Sequence, residues 1–167
     1  MSYFALFINL NKDLETSIER DKEKLKQFSS NEFVDHPPHI TLATFATPCE
    51  KLLDKITFNK TEILIDKKDY FSDNDLNYTL YYNIEENSSL NNLHNKAVDI
   101  VEKENVNMLY PFIGPDWKPH ITLAQVRNKK FAKQFSAKKY KIETIVDTLS
   151  YVKYEKGKHL TLEEKKY

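Results

Sequence analysis

The chain has 167 residues, of which 40% are hydrophobic and 13% aromatic, which is enough apolar material for the core of one compact domain. Its 25 basic and 25 acidic residues balance, whereas proteins that hold long nucleic acids usually carry an excess of Lys and Arg. The 2 glycines are isolated, which excludes Gly-rich phosphate loops, and the single cysteine excludes a disulfide within the chain.

The first half of the chain predicts five alternating elements. The apolar run at 3–9 is typical of a strand buried on both faces, and Asn11 opens a helical pattern. The apolar face of that helix is expected to consist of Leu14, Ile18, Leu25 and Phe28. The remaining elements of this half are a strand at 39–45, a helix near 48–56 and a strand near 61–67.

The second half repeats this order. Alternation over 78–84 predicts a strand with one core face, and Asn87 or Ser88 caps the helix that follows. The remaining elements are a strand at 120–126, a short helix near 129–136, a strand near 139–146 and a hairpin from Thr148 that turns near Gly157.

One six-residue sequence, Pro-His-Ile-Thr-Leu-Ala, occurs twice, at 38–43 and at 119–124. Both copies fall on predicted strands, where side chains two positions apart point to the same face. The His, Thr and Ala of each copy are therefore expected to face a cleft, with Ala43 and Ala124 leaving room for a ligand. The Ile and Leu of each copy then anchor the strand in the core.

The repeated His and Thr side chains are suited to acid–base chemistry on a phosphate. Histidine titrates near neutrality, so one neutral ring can accept a proton while a second, protonated ring donates one. Threonine hydroxyls can donate to the non-bridging oxygens of the phosphate, and no metal or other cofactor is required. The expected catalytic residues are His39, Thr41, His120 and Thr122.

These patterns predict an α+β fold of two lobes related by a pseudo-two-fold axis. Each lobe is expected to be an antiparallel sheet that carries one His-x-Thr strand, with helices on the outside. We expect one domain over 1–167, with lobe one at about 1–70, lobe two at about 76–147 and a C-terminal hairpin at about 148–167. The absence of a Ser- and Gly-rich linker favours one unit.

Four residues near the second motif are candidates for substrate binding. The aromatic rings of Phe112 and Trp117 can stack on a base, although both rings can equally pack their loop onto the lobe. Lys118 can add positive charge, but most lysines are simply solvated. Arg127 can bind a phosphate in a bidentate manner only if the strand bulges or ends, because strict alternation turns it away from His120.

The paired His-x-Thr motifs, roughly 80 residues apart, resemble those of the 2H phosphoesterase superfamily. Its members include bacterial 2′–5′ RNA ligase-like proteins and plant cyclic nucleotide phosphodiesterases. The resemblance implies a metal-independent phosphodiesterase that acts on 2′,3′-cyclic phosphates, 2′–5′ linkages or cyclic oligonucleotides. Three alternatives stay open: RNA 2′–5′ ligation, a non-catalytic module that binds nucleotides or RNA ends, and a metal hydrolase.

The expected partner is a nucleotide or a short oligonucleotide rather than a long nucleic acid. No apolar run approaches the roughly 20 residues of a membrane-spanning helix, so no membrane association is expected. We expect a cytoplasmic monomer.

Overall fold

The computed structural model describes residues 2–29, 36–74, 76–109 and 116–167. They form eight strands and four α-helices, with a 3₁₀ turn over Lys26–Phe28. The strands are β1 (Tyr3–Asn9), β2 (His39–Phe45), β3 (Thr61–Asn74), β4 (Asn77–Ile84), β5 (His120–Val126), β6 (Lys139–Val146), β7 (Thr148–Glu155) and β8 (Lys158–Lys166). The helices are α1 (Lys12–Leu25), α2 (Leu52–Lys55), α3 (Ser88–Lys103) and α4 (Lys129–Ser136).

The strands form two antiparallel sheets, which confirms the predicted α+β fold of two lobes. The first sheet has the strand order β2-β1-β7-β8, and the second has the order β5-β4-β3-β6. Each sheet carries one copy of the repeated sequence, on β2 and on β5, and both of these strands lie at a sheet edge.

The predicted lobe boundaries do not follow the sheets. Strand β3, which the sequence assigned to lobe one, pairs with β4 and β6 in the second sheet. The C-terminal hairpin of β7 and β8 instead completes the first sheet, where β7 pairs with β1. Periodicity locates a strand but does not identify its neighbours, and this limit explains the difference.

Asparagine side chains begin three of the helices. The Oδ1 atom of Asn11 accepts the Leu14 N–H at 3.0 Å, and that of Asn128 accepts the Phe131 N–H at 3.0 Å. Asn87 caps α3 in the same way, and it is one of the two residues predicted for this role, Asn87 and Ser88. The helix predicted near 48–56 is reduced to the single turn of α2.

Two of the helices, α1 and α3, connect the two lobes. Helix α1 follows β1 in the chain but packs against β5, while α3 packs against β2. Tyr82 of β4 is buried and donates its hydroxyl proton to Asp21 of α1, with an O···O distance of 2.5 Å. Buried residues of both sheets consequently form one continuous core. Phe28, predicted to lie on the apolar face of the first helix, is instead 49% exposed in the 3₁₀ turn.

Candidate functional site

The two motif strands face each other as the edge strands of their sheets, and β2 and β5 are in contact. The residues that pair with the two motifs on the adjacent strands are also repeated. His39 pairs with Asn9 of β1, and His120 pairs with Asn83 of β4. Because residues directly opposite in an antiparallel pair share a face, each histidine lies beside an asparagine.

The two threonines have matching neighbours too. Thr41 pairs with Phe7, and Thr122 pairs with Tyr81, so each threonine lies beside an aromatic ring. Sequence reasoning missed this second repeat, although its trace is visible as an aromatic residue two positions before asparagine in both β1 and β4.

Both asparagines are held in turn by a carboxylate. Asn9 Nδ2 donates to Glu164 Oε2 at 2.9 Å, and Asn83 Nδ2 donates to Asp66 Oδ1 at 2.7 Å. A charged acceptor makes these stronger than neutral hydrogen bonds, so the amide next to each histidine is fixed.

A β-bulge occurs at the same place in both motif strands. The register shifts between Thr41 and Ala43 on β2, and between Thr122 and Ala124 on β5. The extra residue reverses the alternation beyond each threonine. The alanines were predicted to face the cleft, and this prediction is wrong: Ala43 pairs with Leu6 and both alanines are buried in the core.

Each motif histidine is oriented by a main-chain carbonyl two residues before it. His39 Nδ1 donates to the Pro37 oxygen at 2.7 Å, and His120 Nδ1 donates to the Lys118 oxygen at 2.8 Å. A carbonyl oxygen can only accept, so Nδ1 carries the proton in both rings. Each Nε2 is therefore the nitrogen that can accept or donate a proton during a reaction.

The environment of His39 strongly disfavours its charged form. The ring stacks on Phe7 with centroids 3.6 Å apart, and burial lowers the pKa of His39 to about 3 despite the Pro37 hydrogen bond. The nearby charges of His159 and Lys22 lower this pKa further.

His120 lies in a more open aromatic surrounding. Its ring contacts Tyr81 edge-on at a centroid distance of 5.2 Å and Phe71 at 5.6 Å. Burial lowers the pKa of His120 below its usual value, against the opposing effect of the Lys118 carbonyl. Both motif histidines are therefore neutral at pH 7 in the free protein.

Two further histidines lie beside His39, although the sequence assigned them no catalytic role. His159 of β8 contacts His39 edge-on at 5.6 Å, and its Nδ1 lies 3.2 Å from His36 Nδ1. Burial, together with the charges of His36 and Lys22, lowers the pKa of His159 to about 4. His159 comes from a distant segment of the chain, so no local sequence signal places it beside His39.

Trp117 connects the two lobes. Its Nε1 donates to the Thr41 carbonyl at 3.2 Å, and its ring stacks on buried His94 at 4.4 Å with an interplanar angle of 2°. His94 in turn donates to the Leu42 carbonyl at 2.7 Å. The structure thus places Trp117 in the packing role, with one ring face covered by His94.

Of the other predicted substrate-binding residues, Lys118 and Arg127 flank strand β5 on either side. Lys118 is exposed and contributes its carbonyl oxygen to His120. Strand β5 does bulge, and it ends at Val126, so the condition under which Arg127 could reach the face of His120 is met, and Arg127 is exposed directly after the strand. Phe112 lies outside the described residues.

The bulge in β5 brings Gln125 to the face that Thr122 occupies. Gln125 pairs with Thr79 of β4, which lies two residues from Tyr81 and on the same face. Strict alternation along the sequence does not predict that Gln125 shares a face with Thr122, because without the bulge position 125 points away from His120.

A groove of about 690 Å³ lies elsewhere, between the Thr57–Glu62 segment and the start of α3, and contains none of the motif residues. Within the ranges that the structure describes, no three His, Cys, Asp or Glu side chains are grouped to hold a metal ion. None of the described helices is both long and apolar enough to cross a membrane.

Comparison with known proteins identifies the family. A profile of the 2′-5′ RNA ligase superfamily matches residues 14–158. No curated protein sequence matches the chain. Among solved structures, TT0787 of Thermus thermophilus is 16% identical with a TM-score of 0.69, and the match covers 98% of this chain and 97% of that one.

The structure of E. coli LigT complexed with 3′-AMP is 12% identical, with a TM-score of 0.71 over 99% of this chain and 96% of that one. At such identities the structural matches show a shared fold. The profile match covers most of the chain and confirms the family predicted from the paired motifs. The chain belongs to the 2′-5′ RNA ligase superfamily, whose members are 2H phosphoesterases.

Proposed function

We propose that this protein is a metal-independent phosphodiesterase that acts on nucleotide substrates through His39 and His120. The observation that carries the proposal is the repeated histidine geometry, in which each Nδ1 donates to a main-chain carbonyl and each Nε2 remains for chemistry. The nucleotide class is also supported by the related LigT structure, which is complexed with 3′-AMP.

The proposed reaction on a 2′,3′-cyclic phosphate uses both rings. One neutral Nε2 accepts a proton from water as the water oxygen attacks phosphorus. The bond from phosphorus to one ribose oxygen breaks, and the second ring, as an imidazolium, donates its proton to that oxygen. Thr41 and Thr122 donate their hydroxyl protons to the non-bridging oxygens, where negative charge increases. On a 2′–5′ linkage, the neighbouring ribose hydroxyl loses its proton to the base and attacks phosphorus, the bond from phosphorus to the 5′ oxygen breaks, and the acid protonates that oxygen, which leaves a 2′,3′-cyclic phosphate.

The half-buried motif histidines make proton uptake part of substrate binding. Both are neutral in the free protein because burial lowers each pKa. A bound phosphate is negatively charged and raises the pKa of an adjacent imidazole, so the acid acquires its proton as the complex forms.

The two surroundings favour different roles. Burial is the largest influence against charge on both rings, and the nearby charge of Lys22 opposes protonation of His39 in addition. We therefore assign His39 as the base and His120 as the acid in hydrolysis of a cyclic phosphate. Microscopic reversibility exchanges these roles in the reverse direction.

The test is product analysis with EDTA present. Wild type, His39→Asn and His120→Asn are incubated with 2′,3′-cyclic mononucleotides, a 2′–5′ oligoadenylate and cyclic dinucleotides. Asparagine keeps a donor near the Nδ1 position but removes Nε2, so the fold should persist while kcat falls about a thousandfold. Circular dichroism of each variant checks the fold.

Other outcomes identify the alternatives. Joining of RNA ends by the wild type would favour ligation, and activity lost only in EDTA would favour a metal hydrolase. Nucleotide binding without turnover of any substrate would favour a binding module. Full activity of either asparagine variant would disprove the two-histidine mechanism.

A further inference from the structure

Phe71 is an exposed aromatic residue next to a motif histidine, and sequence reasoning did not select it. It lies on β3, pairs with Thr79 of β4 and is 40% exposed. Because Thr79 and Tyr81 alternate to the same face, Phe71 lies on the face that carries His120.

Three rings meet on this face. Phe71 lies 5.0 Å from Tyr81 and 5.6 Å from His120, and Tyr81 lies 5.2 Å from His120, measured between centroids. The Phe71 ring is nearly perpendicular to that of His120, at 85°. An apolar, accessible ring is thus fixed beside the histidine assigned to proton donation.

Among the described residues of lobe one, the aromatic ring at the matching position is less accessible. The corresponding aromatic residue there is Phe7, which is 5% exposed and stacks on His39 at 3.6 Å. The ring face of Phe7 is already covered, whereas Phe71 keeps accessible area. A planar ligand group bound near the phosphate would therefore find its stacking surface in lobe two.

Tyr81 has a charged neighbour on its own face of the sheet. Asp69 pairs with Tyr81 across β3 and β4, and burial, together with the charge and hydrogen bond of Asp69, raises the pKa of Tyr81 to about 12. Lys67 neutralises Asp69 through an ion pair of 3.1 Å. Asp69 therefore holds Tyr81 in place and is not available to recognise the edge of a base.

We propose that Phe71, supported by Tyr81, stacks on the nucleobase of a substrate whose phosphate lies between the two motif histidines. This inference rests on the proposed function, because it requires a nucleotide substrate. Stacking on an aromatic ring tolerates every base, so the site should accept purine and pyrimidine nucleotides with similar affinity.

The experiment compares two substrates in three variants. Nucleoside 2′,3′-cyclic phosphates carry the base, whereas methyl riboside 2′,3′-cyclic phosphate lacks it. We expect Phe71→Ala to raise KM for the nucleoside substrates about tenfold and to leave the baseless substrate unchanged. Phe71→Trp should restore the wild-type KM. Phe28→Ala is the matched control, because Phe28 is similarly exposed but packs against Phe131 of α4.

A binding measurement separates this proposal from the proposed function. Calorimetry with 3′-AMP and with inorganic phosphate reports base recognition without turnover. Loss of 3′-AMP affinity in Phe71→Ala, with phosphate affinity retained, supports the stacking site even if no substrate is hydrolysed. Equal effects on both ligands, or no effect of Phe71→Ala on either KM or affinity, would overturn it.

Discussion

The two motif strands share the arrangement of residues around each histidine and threonine, but they differ in the side chains packed against the histidines. Both have the Nδ1–carbonyl hydrogen bond, the asparagine beside histidine, the aromatic residue beside threonine and the bulge before alanine. The packing around them does not repeat: His39 is stacked and lies among positive groups, whereas His120 contacts rings only at their edges. The difference teaches that two identical hexapeptides can have unlike surroundings, and we propose that these surroundings prepare the two histidines for opposite proton-transfer roles.

The carbonyl groups of the two motif strands are held by different side chains, and this difference predicts the largest effect on the free energy of unfolding. Trp117 fixes the Thr41 carbonyl of β2, whereas Ser29 fixes the Gln125 carbonyl of β5 through one hydroxyl at 3.3 Å. Trp117→Ala removes a large packed ring and should lower the free energy of unfolding by about 3 kcal/mol. Ser29→Ala should cost less than about 1 kcal/mol.

Urea denaturation of both variants measures this difference. Trp117→Phe retains most of the ring volume but loses the N–H, so its stability should lie between those of wild type and Trp117→Ala. Equal losses in Trp117→Ala and Ser29→Ala would show that the two edges are supported alike.

The lowered pKa values of two half-buried histidines predict a loss of stability in mild acid. The pKa is about 3 for His39 and about 4 for His159 in the folded protein, but near 6.5 in an unfolded chain. Between these values the unfolded state binds more protons, so stability is full above about pH 6.5 and falls as the pH decreases towards 3. His159→Gln should flatten this dependence in urea titrations between pH 4 and 7, and an unchanged slope would contradict the assignment.

The smallest expected effect is also the most direct comparison of the two sites. NMR titration of the imidazole resonances should show His39 protonating at a lower pH than His120. His159→Gln removes a positive neighbour and should raise the pKa of His39 while leaving that of His120 unchanged. Protonation in the opposite order would reverse the proposed acid and base roles.

Local patterns in the sequence predicted much of this structure. Hydrophobic periodicity located β1 and β5 to the residue, and Asn11 marked the first helix. The C-terminal hairpin turns where predicted, because Lys156 and Gly157 both have positive φ, 51° and 80°, as a type I′ turn requires.

What sequence reasoning missed depends on contacts between distant segments. The bulge has no marker in Thr-Leu-Ala, so Ala43 was assigned to the wrong face. The packing alternative for Trp117 could not be preferred over stacking, because its partners, His94 and the Thr41 carbonyl, come from elsewhere in the chain. Phe71 was overlooked because the strand predicted near 61–67 extends to Asn74 only through pairing with β4.

The position of β1 in the first sheet has a consequence for synthesis of the protein. This strand pairs with β2 on one side and on the other with β7, which is made only after the whole second sheet. One edge of β1 therefore stays open while the ribosome translates the intervening residues, and open edges are prone to incorrect pairing. The surroundings of His39, encoded early, are among the last to be completed, since His159 arrives on β8.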